Sequence, residues 1–173
     1  MIAVSVDNRT DLDLPLEEYR QGALFVLGQR HLPENAELAV SLVGIEEITQ
    51  LNRQYRGVDE ATDVLSFECD AINLEEEVGA AELDADEVGA AEPDAKKPDT
   101  EETLLLGDVI IAPDIAKRHA EEFDSTFEEE MRLMLIHGIL HILGYDHIDE
   151  GDYAVMYALE NDLLAELNER SIS

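Results

Sequence analysis

Apolar and polar positions alternate along residues 2–7, with Ile2, Val4 and Val6 on one side, and along 37–43, with Leu38, Val40 and Leu42 on one side. That period of two predicts two strands. Between them Leu16, Tyr19, Ala23, Leu24 and Leu27 recur at helical spacing, and Gly28 is a natural stop. Ile45, Ile48, Leu51 and Tyr55 mark a second helix that ends at Gly57. Residues 63–68 and 104–111 read as two further strands, antiparallel neighbours in one sheet. Ser125 with Glu128 reads as a capping box opening another helix, and Glu128, Glu129 and Glu130 suit its positive N-terminal end. Tyr153, Met156, Tyr157, Leu163, Leu164 and Leu167 give a closing amphipathic helix. Strands and helices mixed without steady alternation predict an α+β fold.

The stretch His137-Gly138-Ile139-Leu140-His141-Ile142-Leu143-Gly144-Tyr145-Asp146-His147 carries the chemistry. His137 and His141 stand one turn apart on one helix face. Gly144 can end that helix in the left-handed conformation, and the turn after it can bring His147 back toward the other two. Residues 133–143 are otherwise apolar apart from one glycine, so this helix should be enclosed. Unpaired buried polar groups cost roughly 1–3 kcal/mol each, and a single cation satisfies three imidazoles at once. Three neutral imidazoles without a fourth protein ligand nearby describe an open zinc site, with water in the remaining position. The reading is a metal-dependent hydrolase with His137, His141 and His147 as ligands.

Zinc peptidases read His-Glu-x-x-His, with the glutamate as general base. Here position 138 is glycine, which disfavours peptide hydrolysis by that route and leaves room either for a bulky substrate or for a close backbone approach.

This motif resembles that of the YbeY family of bacterial endoribonucleases, and two further blocks agree with it. They are Leu51-Asn52-Arg53-Gln54-Tyr55-Arg56-Gly57 followed by Thr62-Asp63-Val64-Leu65-Ser66-Phe67, and Leu106-Gly107-Asp108-Val109-Ile110-Ile111. The resemblance covers roughly residues 1–68 and 104–165. It implies a zincin-like fold with a small mixed four-stranded sheet, about five helices and one helix carrying the metal ligands. It also implies one zinc ion per chain and cleavage of single-stranded ribosomal RNA in 16S rRNA 3′-end maturation and ribosome quality control. The partners would be that RNA and the ribosome or its small subunit, with no DNA and no membrane.

By the same resemblance Arg56 is a functional arginine of the cleft, joined as catalytic residue by His137. A guanidinium fork fits two phosphate oxygens and can neutralise charge growing in the transition state. Read from the residues alone, Arg56 could equally cap the helix that Gly57 ends. Arg53 is a second candidate contact to RNA, and Asp108, a charge in an apolar strand, a third candidate for substrate or partner. Asp146, beside a ligand, can orient a histidine or serve as a turn residue. Asp63 can pair with Arg56 or cap the next strand. A non-catalytic, metal-containing ribosome assembly factor and a metallopeptidase are the competing classes.

Bulk properties adjust this picture. At 173 residues the chain is predicted to form one domain over 1–173. It contains no apolar run near 18 residues, its first residues lack the basic start and long apolar run expected of a signal peptide, and its single cysteine, Cys69, fits a reducing cytoplasm as an incidental thiol. Net charge is −31, with three lysines and eight arginines, which is unfavourable for binding RNA through its phosphates. Residues 68–102 account for −12 of this. Within 70–103 the segment Glu77-Val78-Gly79-Ala80-Ala81-Glu82 is repeated as Glu87-Val88-Gly89-Ala90-Ala91-Glu92, and the composition predicts a disordered acidic insertion. Two explanations of the remaining acidity are compatible. Binding can be confined to a small positive focus made by the metal, Arg53 and Arg56. Alternatively, a salty cytoplasm screens the repulsion.

Overall fold

The computed structural model describes residues 1–69 and 103–171, so the acidic insertion expected at 70–103 lies almost wholly outside the described residues. Four strands, β1 (Ala3–Asn8), β2 (Ala36–Leu42), β3 (Val64–Glu68) and β4 (Leu104–Ile111), combine with α1 (Leu16–Gly28), α2 (Ile45–Arg56), α3 (Pro113–Phe123), α4 (Phe127–Ile142) and α5 (Glu150–Ser171). The sheet runs β1-β2-β4-β3. β1 and β4 lie parallel to β2, while β3 is antiparallel to β4. A mixed four-stranded sheet with five helices is the α+β architecture expected.

Strand register explains the layering. Val4, Leu38, Val40 and Val109 occupy facing positions on one side of the sheet, where all four are buried. Helices α1 and α4 cover that side, and Val64 and Ser66 of β3 face α4 at Gly138. Phe67 alternates to the opposite side and meets Tyr55 of α2 edge-on, with ring centroids 4.9 Å apart. The remainder of that side carries exposed Ser5 and Asp108. Between Glu37 and Leu38 the β2–β4 register shifts by a bulge, and Gly107 there has φ +147°. A Cβ on Gly107 would stand 2.1 Å from the Phe67 carbonyl oxygen, so glycine lets β3 and β4 close at the bulge.

Two local assignments change. The capping box is Thr126 with Glu129, one residue later than the expected Ser125 and Glu128. Thr126 Oγ1 accepts from the Glu129 amide at 3.2 Å, and Glu129 Oε2 accepts from the Thr126 amide at 3.0 Å. Ser125 instead donates to the buried carboxylate of Glu130. In α5 the core stripe is Met156, Leu163 and Leu167, while Tyr153 and Tyr157 are exposed rather than part of it. Residues 150–155 are exposed among the described residues, and Tyr157 faces outward next to buried Met156. Helix α3 had no assignment from periodicity.

Candidate metal centre

Helix α4 is enclosed as its sequence demands: Met134, Leu135, Ile136, Gly138, Ile139, Leu140 and Ile142 are buried. His137 and His141 share the face turned to a cleft, and Gly144, at φ +89°, reverses the chain after the helix. His147 returns to them. One donor atom from each of the three imidazoles lies within 4.8 Å of the other two. His137 Nε2 and His141 Nε2 approach to 3.0 Å. The rings of His147 and His141 have centroids 5.0 Å apart.

The donor set fits a metal ion. His137 Nδ1 lies 2.7 Å from Glu160 Oε1, so a proton held on Nδ1 is donated to the carboxylate and the Nε2 lone pair is left facing His141. Two imidazole nitrogens that face each other at this distance need a shared proton or a shared cation. The hydrogen bond to Glu160 raises the His137 pKa above its ordinary value of 6.5, against the effect of burial. His141 moves the other way: burial, then the proximity of His137 and His147, lower it, while the Asp146 charge and a hydrogen bond to the Tyr145 backbone partly compensate. A neutral His141 is the form that can ligate.

Glu160 escaped the sequence reading. It lies 23 residues beyond His137 on a different helix, in a stretch of α5 with many acids, and its only sequence signal is a carboxylate within the apolar stripe of Met156 and Leu163.

The histidines open into a cleft of about 550 Å³ lined also by Arg56, Thr62, Asp63, Val64, Leu65, Ser66, Glu68, Asp146 and Ile148. Arg56 therefore shares the cleft with all three imidazoles. Helix α2 ends there on Gly57 in the left-handed conformation, whose amide reaches the Arg53 carbonyl at 3.1 Å. Asn52 donates to the Glu60 carbonyl at 2.8 Å and fixes the loop that follows Arg56. Asp63 caps its own strand, accepting from the Val64 amide at 2.8 Å, and has no ion pair with Arg56. Asp146 accepts from the His147 amide at 2.6 Å and lies 3.9 Å from the His147 ring, which makes it first a brace for the turn.

Arg53 and Asp108 lie outside the cleft lining. Arg53 is exposed beside Asp59 at 4.0 Å. Asp108 lines a separate groove on the far side of the sheet with Ala3, Ser5, Glu37, Ala39 and Cys69. Gly138 faces the sheet, not the cleft: a Cβ there would stand 2.5 Å from Val109 Cγ1 and 3.1 Å from Val64 Cγ2. Of the two reasons open for this glycine, close approach is the one realised. Among the described residues no helix is long and apolar enough to cross a membrane.

Comparison with known proteins agrees with this geometry. The family model for endoribonuclease YbeY matches residues 5–168. A protein named endoribonuclease YbeY from Legionella pneumophila strain Corby is 36% identical over 165 residues, spanning 95% of this chain and 89% of the relative. One of the same name from Lacticaseibacillus casei strain BL23 is 39% identical over 137 residues, spanning 79% and 77%. A solution structure of a Thermotoga maritima protein superposes with a TM-score of 0.59 at 25% identity, covering 97% of this chain and 92% of that one. With an open trio of histidines beside an arginine, and relatives matched over most of their length, the chain belongs to the endoribonuclease YbeY family.

Proposed function

We propose that the protein is a zinc-dependent endoribonuclease that cleaves single-stranded RNA, acting in 16S rRNA 3′-end maturation and ribosome quality control with the ribosome or its small subunit as partner. The observation that carries the chemistry is the convergence of His137, His141 and His147 in a cleft shared with Arg56. Zinc bound there would supply a Lewis acid and an acidified water, with a pKa near 7.

The chain's own groups do the rest. Glu160 holds His137 in the tautomer that presents Nε2. Arg56, without an ion-pair partner among the described residues, offers its guanidinium to the scissile phosphate and to the charge that grows there. The carboxylate that takes the proton in a peptidase is missing at 138, where the helix lies against the sheet. An open, three-ligand site beside a cation suits phosphodiester cleavage better than a closed structural ion. Arg53, near the end of α2, is proposed as a more distant phosphate contact, and Asp108 as a partner contact on the far face.

The test is cleavage of a single-stranded RNA by metal-loaded protein, beside His137→Ala and Arg56→Ala variants purified identically. The first should fall to background. The second should lose roughly a hundredfold or more in kcat while keeping its metal. Equal cleavage by all three would assign the activity to a contaminant.

A further inference from the structure

Strand β3 is an edge of the sheet, paired among the described residues to β4 alone. Its register fixes which backbone groups face outward. The Cys69 amide donates to the Leu106 carbonyl at 3.2 Å, and the Asp63 carbonyl accepts from the Ala112 amide at 2.9 Å. In an antiparallel ladder such bonded pairs recur at every second residue, so Leu65 and Phe67 also turn their amides and carbonyls to β4. Val64, Ser66 and Glu68 turn theirs to the free edge. All three residues line the cleft that holds His137, His141, His147 and Arg56. The Val64 amide is taken by Asp63 Oδ1 at 2.8 Å. Among the described residues, the Ser66 amide and the carbonyls of Val64 and Ser66 have no hydrogen-bond partner.

An open edge on a five-residue strand is no site by itself. The placement of Ser66 argues for more. Its hydroxyl donates to the Gly138 carbonyl at 2.9 Å, one residue beyond His137, so this stretch of β3 is clamped to the histidine helix. The same residue points its side chain at α4 and its backbone into the cleft. An extended peptide can add to such an edge, but its ladder would need the Val64 amide that Asp63 occupies. A nucleotide needs less: one donor for a phosphate oxygen and one acceptor for a ribose hydroxyl. The chain has a net charge of −31, and Arg56 is the one Lys or Arg in the cleft lining. Uncharged main-chain donors are then the remaining means of holding phosphate there. The Glu68 amide also faces outward, but its own carboxylate repels phosphate, so the contact falls on Ser66.

We infer that the free edge of β3 at Ser66 is a subsite for the sugar–phosphate backbone of the RNA strand. The Ser66 amide donates to a non-bridging phosphate oxygen, and the carbonyls of Val64 and Ser66 accept from ribose 2′-hydroxyls. The 2′-hydroxyl is the group that tells RNA from DNA, so this edge carries a preference for RNA. Main-chain contacts to sugar and phosphate read no base, so the subsite is tolerant of sequence. The inference rests on the endoribonuclease reading for its substrate, but its readout is binding and does not need turnover.

The experiment uses the full chain, metal-free, with a short single-stranded oligoribonucleotide and the DNA of the same sequence. Amide hydrogen exchange is read residue by residue by NMR. In the free protein Leu65 and Phe67 should exchange slowly and Ser66 fast. RNA at about ten times its Kd should slow Ser66 roughly tenfold. The DNA lacks the hydroxyl that the carbonyls accept and should bind roughly fivefold more weakly. Ser66→Pro removes an outward amide without removing a bond to β4, a change that edge strands tolerate. Ser66→Ala is its reference, because it loses the same hydroxyl and keeps the amide. The proline variant should bind RNA roughly tenfold more weakly than the alanine variant. Should the proline variant fail to fold, exchange at Ser66 in the wild-type chain decides alone. An unprotected Ser66 amide in the RNA complex, or RNA and DNA bound equally, would overturn the subsite. So would an uncharged extended peptide that protects Ser66 where RNA does not. Cleavage by metal-loaded protein with Ser66 unprotected would leave the nuclease reading standing. Protection of Ser66 by RNA without any cleavage would support the subsite and remove that reading.

Discussion

Gly138→Ala puts two opposing effects into direct competition. Alanine is favoured over glycine inside a helix by about 1 kcal/mol, so propensity alone predicts a more stable protein. The added Cβ, however, would lie 2.5 Å from Val109 Cγ1 and 3.1 Å from Val64 Cγ2, where ordinary contact is 3.4–4 Å. Relief requires a displacement of about 1 Å, and both neighbours are β-branched and stiff at χ1. Overpacking of a filled core costs typically about 1–3 kcal/mol, and stiff neighbours place this site in the upper part of that range. The net expectation is destabilisation by about 1–2 kcal/mol, a fall in Tm of about 2–8 °C for a chain of this size. Thermal and urea unfolding should be followed on metal-free protein, because bound metal adds stability of its own. In a Val109→Ala background the 2.5 Å contact is removed and the 3.1 Å approach to Val64 Cγ2 remains, so Gly138→Ala should cost clearly less than in wild type, a coupling that a double-mutant cycle reads directly. Stabilisation of about 1 kcal/mol in the wild-type background would refute the close helix–sheet approach.

Two further outcomes follow from the histidine contacts. Glu160→Ala should weaken metal binding roughly 10–100-fold in competition with a chromophoric chelator, and Glu160→Gln should recover part of it, because the amide oxygen still accepts from His137. Unchanged affinity in the alanine variant would contradict the orienting role. In metal-free protein, imidazole NMR resonances should show His137 titrating above pH 6.5 and His141 below it. The folded pKa of His137 is the raised one, so its pairing with Glu160 contributes fully below pH 6.5 and is lost as pH climbs through the raised value. The lowered His141 acts oppositely, and protonating it as pH falls below 6.5 costs stability. The reverse order of titration would contradict the geometry.

What the sequence made legible was local. Alternation located β1 and β2 within a residue or so of their observed limits, because each presents one face to the core. The histidine spacing pointed to the candidate metal centre because a single helix and its terminal turn hold all three rings. Features built from distant segments were harder to see. Glu160 meets His137 through helix packing, and the purpose of Gly138 depends on how near β3 and β4 approach it. Helix α3 is short and buries only Pro113, Ile115 and Ala116, all near its start, which leaves few apolar positions to mark it. Tyr153 and Tyr157 flank the buried stripe of Met156, Leu163 and Leu167 instead of lying in it, since an apolar period shows the general side of a helix but not how wide its covered stripe is.

The central claim is that His137, His141 and His147 together hold one ion with a coordination position left open. Calorimetric titration of zinc into metal-free protein tests it most directly, with wild type beside His141→Ala. One equivalent bound tightly by wild type, and heat largely abolished in the variant, is the predicted result. Binding that is undiminished in His141→Ala, or no saturable binding by the wild-type chain, would contradict it.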